Sequence, residues 1–383
     1  MNRFRSYQLT WLATICVSLG FAPAVRADTQ EGEIQALIAA IRSIGPEGQN
    51  HREAMQAWQR LADVDASQIP AILAGFCDDP LSTNWLRSAV ETIVERDEGR
   101  SLPIDLLEPF IQDRTHAVRA RRLAFELLVQ VDPSAGRRLI PGFLDDPSLE
   151  LRREAVAEAL DRADGLMSKD TSKDTGQAAE VYRQTLIAAR DPDQVNRAAT
   201  KLRELGQSVD LVRHFGFITT WKLIAPFDNV DNRGFDTAHG PELNLDPTGT
   251  YLGKEGMIGW IDYTTEDPYG MVDLNQVLGR FKGAIAYAYA ELEAPEPRDV
   301  QLRLGSINAN KVWLNGELLT ANHVYHAGMY MDQYVGRGQL QAGKNVILVK
   351  IAQNEQTESW AQRWQFQLRA CDQYGTAVLC QSR

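Results

Sequence analysis

The spacing of apolar residues changes once along this chain, near residue 215, and that change restricts the fold more than any other feature. Up to Phe215 the apolar positions recur at helical intervals; from Gly216 onward they fall in short runs broken by turn residues. Helices come first and strands second, without interleaving. This order predicts an α+β multidomain chain: an N-terminal helical array followed by an antiparallel β-sandwich. Strands are expected at 221–227, 257–263, 284–292, 300–305, 311–314, 346–351 and 364–371. Asn315-Gly316 lies between two apolar runs and supplies the positive φ angles of a tight hairpin.

The helical half contains an internal repeat. Phe76-Cys77-Asp78-Asp79, Phe110-Ile111-Gln112-Asp113 and Phe143-Leu144-Asp145-Asp146 follow one another at intervals of 34 and 33 residues. A Pro-containing apolar segment precedes each, and a second helix follows. Ala117, Ala120, Ala124, Leu127, Leu128 and Val131 make one apolar face; Leu151, Ala155, Ala159, Leu160 and Ala163 make the next. Arg119 and Arg152 each stand six residues after the repeated aspartate. The pattern resembles a short HEAT-type solenoid over 28–165, in which stacked helix pairs share one elongated core. That resemblance implies repeated Asp and Arg side chains bonding across the stack, and either a surface for a protein partner or a brace. The polar stretch 164–176 reads as a loop, and the rest of 166–215 as a helical hairpin bracing the next domain. Asp191-Pro192 supplies the cap and first-turn proline of its second helix.

Residues 1–27 have the form of a secretory signal peptide: Arg3 and Arg5, an apolar stretch from Leu9, and Val25-Arg26-Ala27 as a cleavage site. Export and removal of this segment take three arginines and no acid from a net charge of −11, leaving −14. Such an acidic chain is not a general nucleic-acid binder. In an oxidising compartment Cys371 and Cys380 are expected to pair as a disulfide across a turn, with Cys77 a small buried residue. No later segment is long and apolar enough to span a bilayer.

Three stretches of the second half carry a family resemblance. Val312-Trp313-Leu314-Asn315-Gly316-Glu317, His326-Ala327-Gly328-Met329-Tyr330-Met331-Asp332 and Leu340-Gln341-Ala342-Gly343-Lys344-Asn345-Val346-Ile347-Leu348-Val349-Lys350-Ile351 are similar to the sugar-binding jelly-roll domain of glycoside hydrolase family 2. This domain belongs to the galactose-binding-like superfold, and the resemblance extends the jelly roll over 216–383. In family 2 enzymes it mostly braces a catalytic barrel, so the resemblance implies an accessory fold and not an activity.

The residue-level expectations follow. Tyr325, Tyr330 and Trp360 are loop aromatics suited to stacking on a sugar ring, with Glu358 and Arg363 as polar contacts. Trp313 and Trp364 sit in strand patterns and read as core. Asp228, Asp231 and Asp236 offer oxygen ligands for a structural Ca²⁺, which many galactose-binding-like domains hold; their spacing is not that of an EF-hand, and a self-capping polar loop is the alternative. His323, His326 and Asp332 would need a further ligand to hold a metal. Glu291, Glu293 and Glu296 read as solvated, and no nucleophile elbow, zinc-protease motif, phosphate loop or dinucleotide fingerprint occurs. No catalytic residue is therefore expected. The chain reads as an exported, noncatalytic binding protein for a glycan or cell-surface ligand; the alternative is an envelope scaffold without a small ligand, and an unrecognised hydrolase comes last.

Overall fold

The structure, a computed structural model, describes residues 24–96, 98–168, 172–379 and 381–382. Most of the expected leader lies outside the described residues; its positions 24–27 begin the helix Ala24–Arg42. The chain is α+β with antiparallel sheets. It divides into two compact units, one of residues up to Gly142 with Asp146–Leu151, the other of Phe143–Asp145 with Arg152–Arg383. Among the described residues no helix is long and apolar enough to cross a membrane.

In the first unit short and long helices alternate. Ile69–Ala74 precedes Pro80–Arg96, and Ile104–Gln112 precedes Val118–Val131. Phe76 and Phe110, the repeat's aromatic marker in this unit, are buried. The repeated aspartates act locally: Asp79 caps Pro80–Arg96, accepting from the Ser82 amide at 2.8 Å, while Asp113 and Asp146 close turns ahead of the next helix, accepting from Thr115 at 2.9 Å and from Ser148 at 2.8 Å. Only Asp146 also makes a buried ion pair, and its partner is Arg121, not the expected Arg119. Arg121 donates to both Asp146 oxygens at 2.8 and 2.7 Å and to the Ile111 carbonyl at 2.7 Å. Arg119 is exposed, because in Val118–Val131 it lies off the face that buries Ala120, Arg121 and Ala124.

The second unit opens with helices. Leu149–Met167 runs four residues into the stretch read as a loop, and Ser172–Ala188 starts within it. Leu166 and Met167 explain this: they pack beside buried Tyr182, so apolar contact outweighs the local polarity. Pro192–Glu204 and Leu211–Phe215 complete the helical part.

Among the described residues the strands that follow are β1 Thr220–Asp228, β2 Thr250–Gly253, β3 Gly256–Gly259, β4 Ile261–Thr264, β5 Val272–Asp273, β6 Ala284–Ala294, β7 Arg298–Ser306, β8 Ala309–Leu314, β9 Glu317–Asn322, β10 Tyr334–Leu340, β11 Gly343–Gln353, β12 Gln365–Cys371 and β13 Gln381–Ser382. One sheet runs β4-β1-β6-β11-β8-β9, with β13 added to β6. A second runs β10-β7-β12-β5, and β2-β3 is a separate hairpin. All pairs are antiparallel. Asn315 and Gly316 have φ of 52° and 84° and turn β8 into β9 as the dipeptide predicts.

The main core holds residues of both large sheets. Alternate residues of β6 (Ala284, Ala286, Ala288, Ala290) present a small-residue stripe, and Trp221, Trp364 and Phe366 lie in the same core. Ile347, Val349 and Ile351 of β11 also face it, while Leu348 faces a second cluster with Phe227, Phe235 and Tyr287. The segment 229–260 crosses the outer face of the seven-stranded sheet and forms this second cluster with Leu245, Tyr251, Ile258 and Trp260. It explains why β11 is apolar on both faces. Trp313 belongs to this outer cluster and is only half-buried, contrary to expectation; its strand alternation places it opposite core-facing Val312 and Leu314. Cys371 is buried and has no disulfide partner among the described residues; Cys380, its expected partner, lies outside them.

Candidate functional site

Strand register puts a common set of loops at one end of the two large sheets. Asp228 pairs with Ala284, Ala284 with Gln353, Ala352 with Ala309 and Asn310 with Asn322. In the other sheet Ser306 pairs with Phe366 and Leu304 with Tyr334. The loops leaving these rows hold 229–249, 279–283, 323–333 and 354–364, so Tyr325, Tyr330, Glu358, Trp360, Arg363 and all three aspartates converge at this end.

An open groove of about 570 Å³ lies there, lined by Asn232, Asn354, Glu355, Gln356, Thr357 and Glu358. Its walls are preset by internal bonds. Glu355 accepts from the Asp231 amide at 2.9 Å. This bond holds a turn in which Asp231 and Asn232 both take positive φ, 54° and 60°. Asn354 donates to Gln356 Oε1 at 2.8 Å and accepts from the Gln356 amide at 3.2 Å. Gly283 donates to the Asn354 carbonyl at 3.0 Å.

Trp360 stands on the turn Ser359–Ala361 that follows Glu358, and 55% of it is exposed. Its ring meets His326 edge to face, with centroids 5.0 Å apart. His326 Nε2 lies 3.2 Å from Asn354 Oδ1. That oxygen is an acceptor, because its own amide nitrogen is engaged with Gln356, so His326 donates from Nε2. His326 itself has a φ of 59°, fixed by its amide donating to Ile307 at 2.7 Å.

The other expected contacts take different positions. Tyr325 is half-buried, and its hydroxyl accepts from Asn229 Nδ2 at 3.1 Å. Burial raises its pKa, against the Asn229 hydrogen bond. It supports the loop from below. Tyr330 is 70% exposed at the same end but does not line the groove. Arg363 is exposed; its carbonyl accepts from Asn308 and Gln353 at 3.2 and 3.4 Å. The loop behind Tyr330 is anchored by Asp332, which accepts from Arg369 at 2.6 and 2.5 Å and from Arg303 at 2.8 Å.

The calcium expectation is not met by this arrangement. Asp228 faces Lys254 at 3.6 Å, Asp231 pairs with Arg233, and Asp236 faces Lys311 at 3.6 Å. The two left-handed residues at 231–232 wind the chain so that each carboxylate meets a different cation. His323 stacks on Phe235 with centroids 4.1 Å apart, so it and His326 serve different neighbours. Among the described residues no group of three His, Cys, Asp or Glu side chains is placed to hold a metal.

Sequence reasoning missed Asn354, Glu355, Gln356 and Thr357 as groove residues. The signal was present: Asn-Glu-Gln-Thr-Glu at 354–358 is an uninterrupted polar run directly after a buried strand.

No family description matches the chain, and no curated protein matches it. Among solved structures it is similar to a selenomethionine-labelled beta-glucosidase from Kluyveromyces marxianus, with 11% identity and a TM-score of 0.21, over 54% of this chain and 29% of that one. It is also similar to a GH31 alpha-xylosidase from Xanthomonas citri, with 13% identity and a TM-score of 0.17, over 33% of this chain and 19% of that one. The chain thus spans less than a third of the length of either.

Proposed function

We propose that this chain is an exported, noncatalytic binding protein that takes a glycan in the groove beside Trp360. In this reading the two large sheets form a galactose-binding-like jelly-roll sandwich. The alternating helices form a HEAT-like array for a protein partner. Export rests on the leader pattern of residues 1–27.

The observation that carries the reading is Trp360, a large aromatic ring left exposed at the rim of a groove walled by amides and carboxylates. An exposed aromatic face matches the apolar face of a pyranose, while Asn, Gln, Thr and Glu side chains match its hydroxyl groups. The groove is already organised by Glu355, Asn354 and Gly283, which lowers the ordering cost of binding. Noncatalytic binding accords with Glu355 being committed to a backbone amide, since a hydrolase needs two carboxylates free to act across one bond.

The test is a glycan array probed with the full chain, followed by titration calorimetry on any positive sugar. Trp360→Ala should abolish retention and Asn354→Ala should weaken it at least tenfold. Tyr330→Ala should leave it within twofold. Retention that survives Trp360→Ala, or no retention by folded wild-type protein, overturns the proposal.

A further inference from the structure

Two lysines fasten the segment 229–260 to the seven-stranded sheet, and both do so in the same way. Lys254 sits at the turn between β2 and β3. Its ammonium donates to the carbonyls of Lys282 and Gly283 at 3.0 and 2.7 Å and faces the Asp228 carboxylate at 3.6 Å. Lys350 rises from the middle of β11, fully buried. Its ammonium donates to the carbonyls of Phe235 and Thr237 at 2.9 and 2.8 Å and to the Glu242 carboxylate at 2.8 Å.

Two backbone carbonyls and a carboxylate are the kind of oxygen set that a hard cation such as Ca²⁺ takes. Carbonyl oxygens turned toward one another repel unless a positive charge lies between them. Here each set already surrounds an ammonium. Family resemblance implies calcium at Asp228, Asp231 and Asp236, but the residues do not fit it, since the carboxylate of Asp228 answers Lys254 and the other two answer Arg233 and Lys311.

We infer that tethered ammonium groups do in this protein what a bound metal would otherwise do, and that Lys254 is a positioning residue for the groove. The link to the groove is Gly283. The carbonyl that Lys254 grips also accepts from the Asn229 amide at 2.9 Å, and the Gly283 amide donates to Asn354, which lines the groove. Lys254 also anchors its own hairpin through its amide, which donates to the Pro226 carbonyl at 2.7 Å. One side chain thus ties the β2–β3 turn to the strand ends beneath Asn354 and Glu355.

The experiment uses the full chain. Thermal unfolding of the wild type is recorded in buffer, in millimolar EDTA and in millimolar CaCl₂, and compared with Lys254→Met, which keeps the stem and removes the charge. The wild-type Tm should be the same in all three solutions. Lys254→Met should melt about 4–8 °C lower, from the loss of two charge-assisted bonds in a unit of this size. Amide exchange at 229–232 and 283–284 should quicken at least tenfold, with β7 and β12 unchanged. A wild-type Tm that falls in EDTA or rises in CaCl₂ overturns the inference. So does a Lys254→Met protein that melts and exchanges like wild type. If Lys254→Met does not fold, the wild-type comparison decides alone.

Discussion

Replacing Asp332 by Asn tests whether one carboxylate holds together the base of the Tyr330 loop. Asp332 has a φ of 61°, a conformation Asn also tolerates, so the substitution changes charge with little change in shape. The carboxylate accepts three charge-assisted hydrogen bonds, two from Arg369 and one from Arg303. Arg369 is 2% exposed and keeps only the Phe215 and Gly375 carbonyls, at 3.1 Å each, when Asp332 loses its charge. Removing one partner of a buried pair costs about 3–5 kcal/mol. The Asp332 side chain is 24% exposed, so water softens the loss, and the lower end, about 3 kcal/mol, is expected. In a unit of this size that lowers Tm by roughly 6–12 °C. Thermal melts supply the total, and amide exchange over Gln365–Cys371 locates it. Because Arg303 and Arg369 then lose the carboxylate that both of them bond, adding Arg303→Gln should recover part of the stability lost in Asp332→Asn. A drop in Tm below about 2 °C, or a double variant less stable than Asp332→Asn, refutes the reasoning. The pH dependence has a defined sign. Burial pushes the Asp332 carboxyl up, but Arg369 and then Arg303 outweigh it, and the net shift is down. Its contribution is therefore complete above the ordinary carboxylate range, about pH 4, and is lost as pH falls below it.

Further outcomes follow from other buried groups. Arg121→Gln should destabilise the first unit by about 3–5 kcal/mol in urea titration, since it strands Asp146 without its bidentate partner; Arg119→Gln should be nearly silent, because that residue is exposed. Burial, followed by the charge of Arg190, lowers the His214 pKa to about 4. A histidine kept neutral in the fold stabilises it above its unfolded pKa, so stability should decline from about pH 6.5 toward 4, and His214→Gln should flatten that slope. Gly234→Ala should cost about 1–3 kcal/mol by denaturant midpoint, since a Cβ there would stand 2.0 Å from the Asp228 carbonyl oxygen.

What the sequence settled by itself was local. Helical spacing, alternation and the Asn315-Gly316 turn depend on neighbours a few residues away, and the α+β order with antiparallel strands was legible from them. The edges of that legibility are also physical. The short strands β2 and β5 and the Gly-interrupted β10 have few apolar residues to alternate, and they form because neighbouring strands or a hairpin turn hold them. The stretch 164–176 looked like a loop because its polarity was visible and its contact with Tyr182 was not. The repeated aspartates pointed to Arg119 by position, yet a shift of two residues around the helix gave the bond to Arg121. At the candidate site tertiary structure decided more. Asn232 and Glu355 are more than a hundred residues apart, and only the register of β1, β6 and β11 brings their loops together. The same distance separates Lys350 from the carbonyls it holds at Phe235 and Thr237. Charge patterns in sequence show which groups must be neutralised; which cation answers which oxygen is fixed only when strand pairing sets the loops side by side.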